Sequence, residues 1–155
     1  MTMNTALGRD NAVYMTPVFA AAEYDLTAGA GSDNSEQTCA TINRLTAFDN
    51  VRHANAVATL AATATLAATK TLIVTGIWEH SPDNSTWAEI GTDTTMLTLT
   101  GEAGGSTETG AAVLGINLAE ADQYVRFKHL PDLSATGTDT AKVTVQYQFT
   151  AATEI

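Results

Sequence analysis

The side chains best equipped for chemistry in this sequence are three histidines, one cysteine and two tryptophans: His53, His80, His129, Cys39, Trp78 and Trp87. A zinc site needs convergent ligands, usually with some of them a few residues apart. The histidines fall on three separate strands or strand ends, and none has a second ligand at the i+2 or i+4 position, so no metal is expected. His80 stands beside Glu79 and Asp83, which suits a local polar pair at a turn. Cys39 has no histidine or basic residue close in sequence to draw off its proton. Its neighbours Thr38, Ala40 and Ile42 suggest a small buried residue instead. The sequence has no G-x-S-x-G nucleophile elbow. Gly101-Glu102-Ala103-Gly104-Gly105 is acidic and lacks the lysine of a phosphate-cradling loop. Asp33-Asn34-Ser35-Glu36 opens like a calcium loop, yet the spaced ligands and closing glutamate are missing. No catalytic residue and no cofactor are therefore expected. The tryptophans leave one other chemistry open, an aromatic platform for a sugar or a receptor.

Composition narrows the classes further. The chain has 155 residues, enough for one domain with its own core. Charged residues make up 15 %, against about 25 % in ordinary domains. The surface must then be built largely from Thr, Ser, Asn and small residues, and 27 Thr and 27 Ala supply much of it. Seven Lys or Arg stand against seventeen Asp or Glu, for a net charge of −10. Between Thr71 and Val125 there are eight acids and no Lys or Arg. Phosphate backbones and anionic lipid need basic clusters, so neither nucleic acid nor membrane is an expected partner. A single cysteine makes no internal disulfide and suits a reducing compartment. Met1 to Ala22 does not resemble a secretory signal. The weakly apolar stretch Ala54 to Ala68 is too short and too rich in Thr to span a bilayer.

The elements that must position these residues are strands. Lys142 to Thr150 alternates Val143, Val145, Tyr147 and Phe149 with Thr144, Gln146 and Gln148. Thr71 to His80 sets Leu72, Val74, Gly76 and Trp78 on one face and Ile73, Thr75 and Ile77 on the other. Ser81 to Thr86 is a turn with Pro82 and Asp83-Asn84 at initiating positions, and Trp87 to Ile90 returns from it. Trp78 and Trp87 bracket this hairpin, close enough in sequence to pack near each other. Thr94 to Thr100, Val113 to Leu118 and Gln123 to Leu130 are further strands. Ala28 to Thr38, Gly101 to Gly110 and Pro131 to Asp139 are predicted loops. Val51 to Leu66 favours a strand through Ala58, Leu60, Ala62, Ala64 and Leu66, although Ala56, Leu60, Thr63 and Ala67 also make a helical stripe. About eight turn-bounded strands argue for an all-β fold, a two-sheet sandwich or a barrel.

The stretch Leu72-Ile73-Val74-Thr75-Gly76-Ile77-Trp78-Glu79-His80-Ser81-Pro82-Asp83-Asn84-Ser85-Thr86-Trp87-Ala88-Glu89-Ile90 resembles a pattern in small structural proteins of tailed bacteriophages and gene transfer agents. A strand there ends in His-Ser, crosses a D-x-S/T turn and returns through an aromatic. Gly115-Ile116-Asn117-Leu118 and Tyr124-Val125-Arg126-Phe127 resemble later parts of the same pattern. The likeness runs from about Ala58 to Phe149. It implies a head decoration, or capsid auxiliary, protein: a non-enzymatic jelly-roll-like β-sandwich, often clustered as trimers, that binds the major capsid protein and stabilises the head. Some relatives sit in the tail. The implied location is the capsid surface of a virion assembled in the host cytoplasm. The alternative is a carbohydrate- or receptor-binding module of a phage tail or head fibre.

Residues 1–22 are expected to form an extended N-terminal arm, with the sandwich over 23–155. Pro17 allows an edge strand or an arm but not a central strand. Val13, Tyr14, Met15, Val18 and Phe19 are too few to build a core and costly to leave in water, so they are the candidate interface residues. An arm of this kind can lie along a neighbour's sheet edge. The acidic middle of the chain would then point outward or meet basic patches on the capsid.

Overall fold

The computed structural model describes residues 15–19, 23–48, 51–135 and 137–154. Among these residues the chain is all β and folds as a jelly-roll-like sandwich of two antiparallel sheets. The short strands come first: β1 (Met15–Phe19), β2 (Tyr24–Thr27), β3 (Ala30–Gly31), β4 (Gln37–Thr38) and β5 (Ile42–Asn43). The long ones follow: β6 (Val51–Leu66), β7 (Thr71–Ser81), β8 (Ala88–Thr100), β9 (Ser106–Asn117), β10 (Tyr124–Leu133) and β11 (Thr140–Glu154). Sheet A runs β3-β2-β11-β6-β9, with β1 also on β11. Sheet B runs β4-β10-β7-β8, with β5 also on β10. Among the long strands, every connection except the β7–β8 hairpin switches sheet. Non-local pairs therefore hold the fold together.

Alternation along β6, β10 and β11 fixes which face of each is inside. On β6, Ala56, Ala58, Leu60, Ala62, Ala64 and Leu66 are buried, while Ala61, Thr63 and Thr65 are exposed. The helical alternative for this segment loses because β6 pairs along its length with β11 on one side and β9 on the other, which satisfies its backbone polar groups. Its alanines are thin. That leaves room between the sheets for Trp78, Phe127, Tyr147 and Phe149, all fully buried. The Trp78 ring lies 5.0 Å from Tyr147 and 5.4 Å from Phe127, centroid to centroid. Gly76 is required here, because a Cβ would come within 2.8 Å of both Met96 Sδ and the Phe127 ring. Gly91 likewise makes room for Ile116 across the sandwich, at 2.7 Å from where a Cβ would stand.

Three hydrogen bonds join sheet to sheet among the described residues: the Tyr24 hydroxyl donates to the Thr38 carbonyl at 3.3 Å, and the other two run through the core. Trp78 Nε1–H of sheet B donates to the Leu114 carbonyl of sheet A at 2.9 Å. The Phe127 amide of sheet B donates to the Tyr147 hydroxyl of sheet A at 2.8 Å. That amide faces the gap between β4 and β5, where no strand partner reaches it, and the adjoining Phe127 carbonyl accepts from Cys39 N–H at 2.9 Å.

Three predicted loops are shorter than their composition suggested. β9 starts at Ser106, so the acidic glycine-rich turn ends at Gly105. β10 continues through Pro131 to Leu133. Pro131 fits because its carbonyl accepts from Asn34 N–H on the side away from β7, so the ring removes no donor from the β7 ladder. The segment 28–38 contains the two-residue strands β3 and β4. The two strands expected over 87–100 are one, β8, whose register against β7 shifts at Val74/Gly76 and at Trp78/Glu79.

The clamp makes Trp78 the residue whose loss should cost most. Trp78→Ala is expected to destabilise the fold by about 3–5 kcal/mol in chemical denaturation, from the cavity and the orphaned Leu114 carbonyl together. A loss below about 1 kcal/mol would contradict this packing.

Candidate interaction surface

The residues singled out for chemistry are bound into the fold. Cys39 and His129 stand ninety positions apart, yet Sγ and Nδ1 meet at 3.8 Å in the core. Sequence alone had placed no histidine near Cys39, because antiparallel pairing of β10 with β4 creates this contact. The pair is not a nucleophile and its base. Burial pushes the thiol up to about 12, an effect the Tyr147 and Tyr24 hydroxyls only partly offset. Burial pushes His129 down to about 4. The thiol is therefore protonated and the imidazole neutral at pH 7.

His53 is buried too, with its ring edge-on to Phe48 at 4.6 Å. Its Nε2 shares a 3.1 Å hydrogen bond with the Thr16 hydroxyl, which ties β1 to the body. Burial, and then the charge of Arg44, lowers its pKa. His80 pairs at 2.8 Å with Asp122 in the 118–123 connection, rather than with Glu79 or Asp83. Glu79 instead holds Arg126 at 2.7 Å and Lys128 at 2.9 Å on the outer face of sheet B. Burial works to raise the Glu79 pKa, and the hydrogen bonds and charges of Lys128 and Arg126 outweigh it, so it sits below the usual range. Asp83 accepts from the amides of Thr86 and Ser85 and from the Ser81 hydroxyl. Those bonds hold its carboxyl well below the ordinary carboxylate range and shape the β7–β8 turn around Asn84, at φ 60°. Asp33 braces its loop by accepting from the Leu133 and Gly29 amides at 2.7 and 2.6 Å. Trp87 does not join Trp78 in the core. It lies on the outer face beneath the Arg126 guanidinium, 3.8 Å from ring centre to Cζ. Among the described residues no group of three or more His, Cys, Asp or Glu is placed to hold a metal ion.

What remains available is surface. A cavity of about 240 Å³ opens at one end of the sandwich, between Phe48, His53, Leu118, Asp122 and Phe149. Arg44 partly closes it by donating to the Ala121 and Asp122 carbonyls. The larger feature is the outer face of sheet A. Register aligns Thr27, Thr140, Thr65 and Thr107 in one row across four strands. Thr144, Ala61 and Ala111 make another row, and Gln146, Thr59 and Val113 a third. Shallow grooves run between them. Val113 is 64 % exposed, the barest large apolar side chain among the described residues. Among the described residues, Lys142 brings the one positive charge to this face, held by Glu23 and by Asp25 at 3.0 Å.

The candidate interface residues divide around this face. β1 lies on β11 as an outer strand, pairing Met15 with Thr150, Pro17 with Gln148 and Phe19 with Gln146. Met15 and Pro17 thus continue rows of the outer face. Val18, opposite the buried Tyr147, packs against the core. Val13 and Tyr14 lie outside the described residues.

No protein-family model matches the chain, and no curated protein does. Among solved structures it is similar to a structure of infectious bursal disease virus strain Gt, at TM-score 0.49 and 13 % identity, over 86 % of this chain and 32 % of that one. It is also similar to the PBSX exported protein XepA, at TM-score 0.40 and 17 % identity, over 90 % of this chain and 38 % of that one. A third is a full particle of Israeli acute paralysis virus, at TM-score 0.42 and 12 % identity, covering 100 % of this chain and 81 % of that one. The chain spans about a third of the length of the infectious bursal disease virus chains it matches. With these TM-scores below 0.5, function rests on the residues of this chain.

The sealed histidines predict acid sensitivity. His129 is neutral in the fold down to about pH 4, whereas an unfolded histidine takes up its proton near pH 6.5. Stability is therefore complete above about pH 6.5 and falls as the pH drops toward 4, by roughly 3 kcal/mol from this residue alone. Thermal melts between pH 7 and 5 should show Tm falling with pH, and His129→Phe should flatten the slope. An unchanged slope in the variant would contradict the assignment.

Proposed function

We propose that this chain is a non-enzymatic structural protein of a virion, a capsid decoration or auxiliary protein of a tailed bacteriophage or gene transfer agent. In this reading it binds the major capsid protein lattice from the capsid surface, stabilises the head, and works as a homo-oligomer, a trimer by the resemblance above. The observation that carries the reading is the folding of the motif pieces into one block. Arg126 faces Glu79 and Tyr124 faces Ser81 across β10 and β7. Asp83 caps the turn between β7 and β8, Trp87 covers Arg126, and Ile116 packs over Gly91. Residues scattered over Leu72 to Phe127 thus form a single structural unit. All of them hold the scaffold, which leaves outer surface and N-terminal segment for partners.

The carbohydrate- or receptor-binding alternative needs an open aromatic face. Trp78 is sealed in the core, and Trp87, with one face under Arg126, stands without a second aromatic beside it among the described ring contacts, so the two tryptophans do not form the shared platform that reading began from. The residues ahead of β1 are the proposed attachment to the lattice, because many weak contacts repeated over a shell add to firm binding.

β1 belongs to the sheet, so the informative truncation removes residues 1–14 and keeps Met15 onward. Mixed with undecorated particles, the shortened chain is expected to keep its circular dichroism and Tm while its occupancy on the particle collapses. Full occupancy by the shortened chain would defeat the attachment role.

A further inference from the structure

We propose that the outer face of sheet A is the surface through which one copy of this chain packs against a second copy. The inference deepens the reading of the chain as an assembly subunit by naming the occupant of this face.

Charge is the first reason. Each copy carries a net −10, so two copies repel unless carboxylates are kept out of the contact. The outward positions of β6 are Val57, Thr59, Ala61, Thr63 and Thr65. Those of β9 are Thr107, Thr109, Ala111, Val113 and Gly115, and those of β11 from Lys142 onward include Thr144, Gln146 and Gln148. None is an acid. Asp25, outward on β2 opposite Lys142, is the acid that the four-strand face does contain, and Lys142 holds both it and Glu23. The outer face of sheet B is different in kind, since Glu36, Glu79, Arg126 and Lys128 form an ion-paired network there. A basic partner would be drawn to the acidic surfaces and a nucleic acid to none. A neutral face selects a partner by shape, and the copy is a partner that must also avoid charge.

Side-chain size is the second. Thr, Ala, Val and Gly lose little rotamer freedom on burial, and depletion of charge with exposed apolar atoms marks the centre of an interface. The Thr65 and Thr107 hydroxyls already bond each other at 3.0 Å, so part of the polar content is satisfied before any contact is made. Area is the third. From Val57 to Thr65 the face is about 27 Å long, and over four strands it is about 19 Å wide. Covering it on two copies removes roughly 1,000 Å² from water, the lower bound for a specific interface.

The test uses the purified full-length chain without capsid. Light scattering after size exclusion is expected to give an oligomer, which the double variant Thr63→Glu/Val113→Glu converts to monomer with unchanged circular dichroism and Tm, both residues being exposed. Ile73→Glu, on the outer face of sheet B, should leave the mass unchanged. The proposal is overturned if the wild-type chain is a monomer at about 100 µM, a concentration at which a dimer with Kd below about 10 µM is mostly assembled. It is equally overturned if the double variant stays oligomeric, or if Ile73→Glu is the change that dissociates it. Should the chain prove monomeric while removal of residues 1–14 still abolishes particle binding, this inference falls and the decoration role stands.

Discussion

Two aromatic side chains, each reaching across the sandwich to a polar backbone group, set the terms for the rest of the molecule. Trp78 extends from sheet B to the Leu114 carbonyl, and Tyr147 extends from sheet A to the Phe127 amide. A large ring buried with its polar atom unsatisfied would cost about 1–3 kcal/mol, so each ring fixes where the opposite strand must lie. The remaining core follows from that spacing. Alanine is needed along β6, glycine at position 76, and interruption of β4 and β5 beside Phe127, where the hydroxyl enters.

This arrangement explains why polar residues that looked available in sequence are not. His129 and Cys39 fill the space beside Phe127 and Tyr147, where burial keeps both neutral. His53 anchors β1 through Thr16. Glu79, Arg126 and Lys128 neutralise one another on the back of the same strands. In these places the ionisable groups serve cohesion rather than chemistry.

The parts of the fold legible in sequence are those with strict two-residue alternation. β10 and β11 alternate buried and outer positions, and β7 does so from Leu72 to Trp78, because each has one face in the core. β6 was ambiguous because Ala and Thr fit both a strand and a helical stripe, and only pairing on both edges decides it. β3, β4 and β5 are two residues each, and tertiary contacts rather than propensity create them. The Cys39–His129 and His80–Asp122 contacts join residues far apart in the chain, so no local spacing announces them. Within the predicted interface segment, parity put Met15 outward and Val18 inward once β1 was set on β11. The neutral face was invisible for a related reason. Its threonines are spread over four strands, and they become a surface only when register brings Thr27, Thr140, Thr65 and Thr107 side by side.

In the proposed assembly one neutral sheet face is covered, and the charged network behind it stays free. The most direct measurement is covalent carbene footprinting of the chain diluted to monomer and then in its assembled form. The account predicts that labelling falls on assembly along 57–65 and 107–115, while Ile73 and Asp132 on sheet B label equally in both states. Loss of labelling confined to the outer face of sheet B, with Val113 equally reactive before and after assembly, would contradict it.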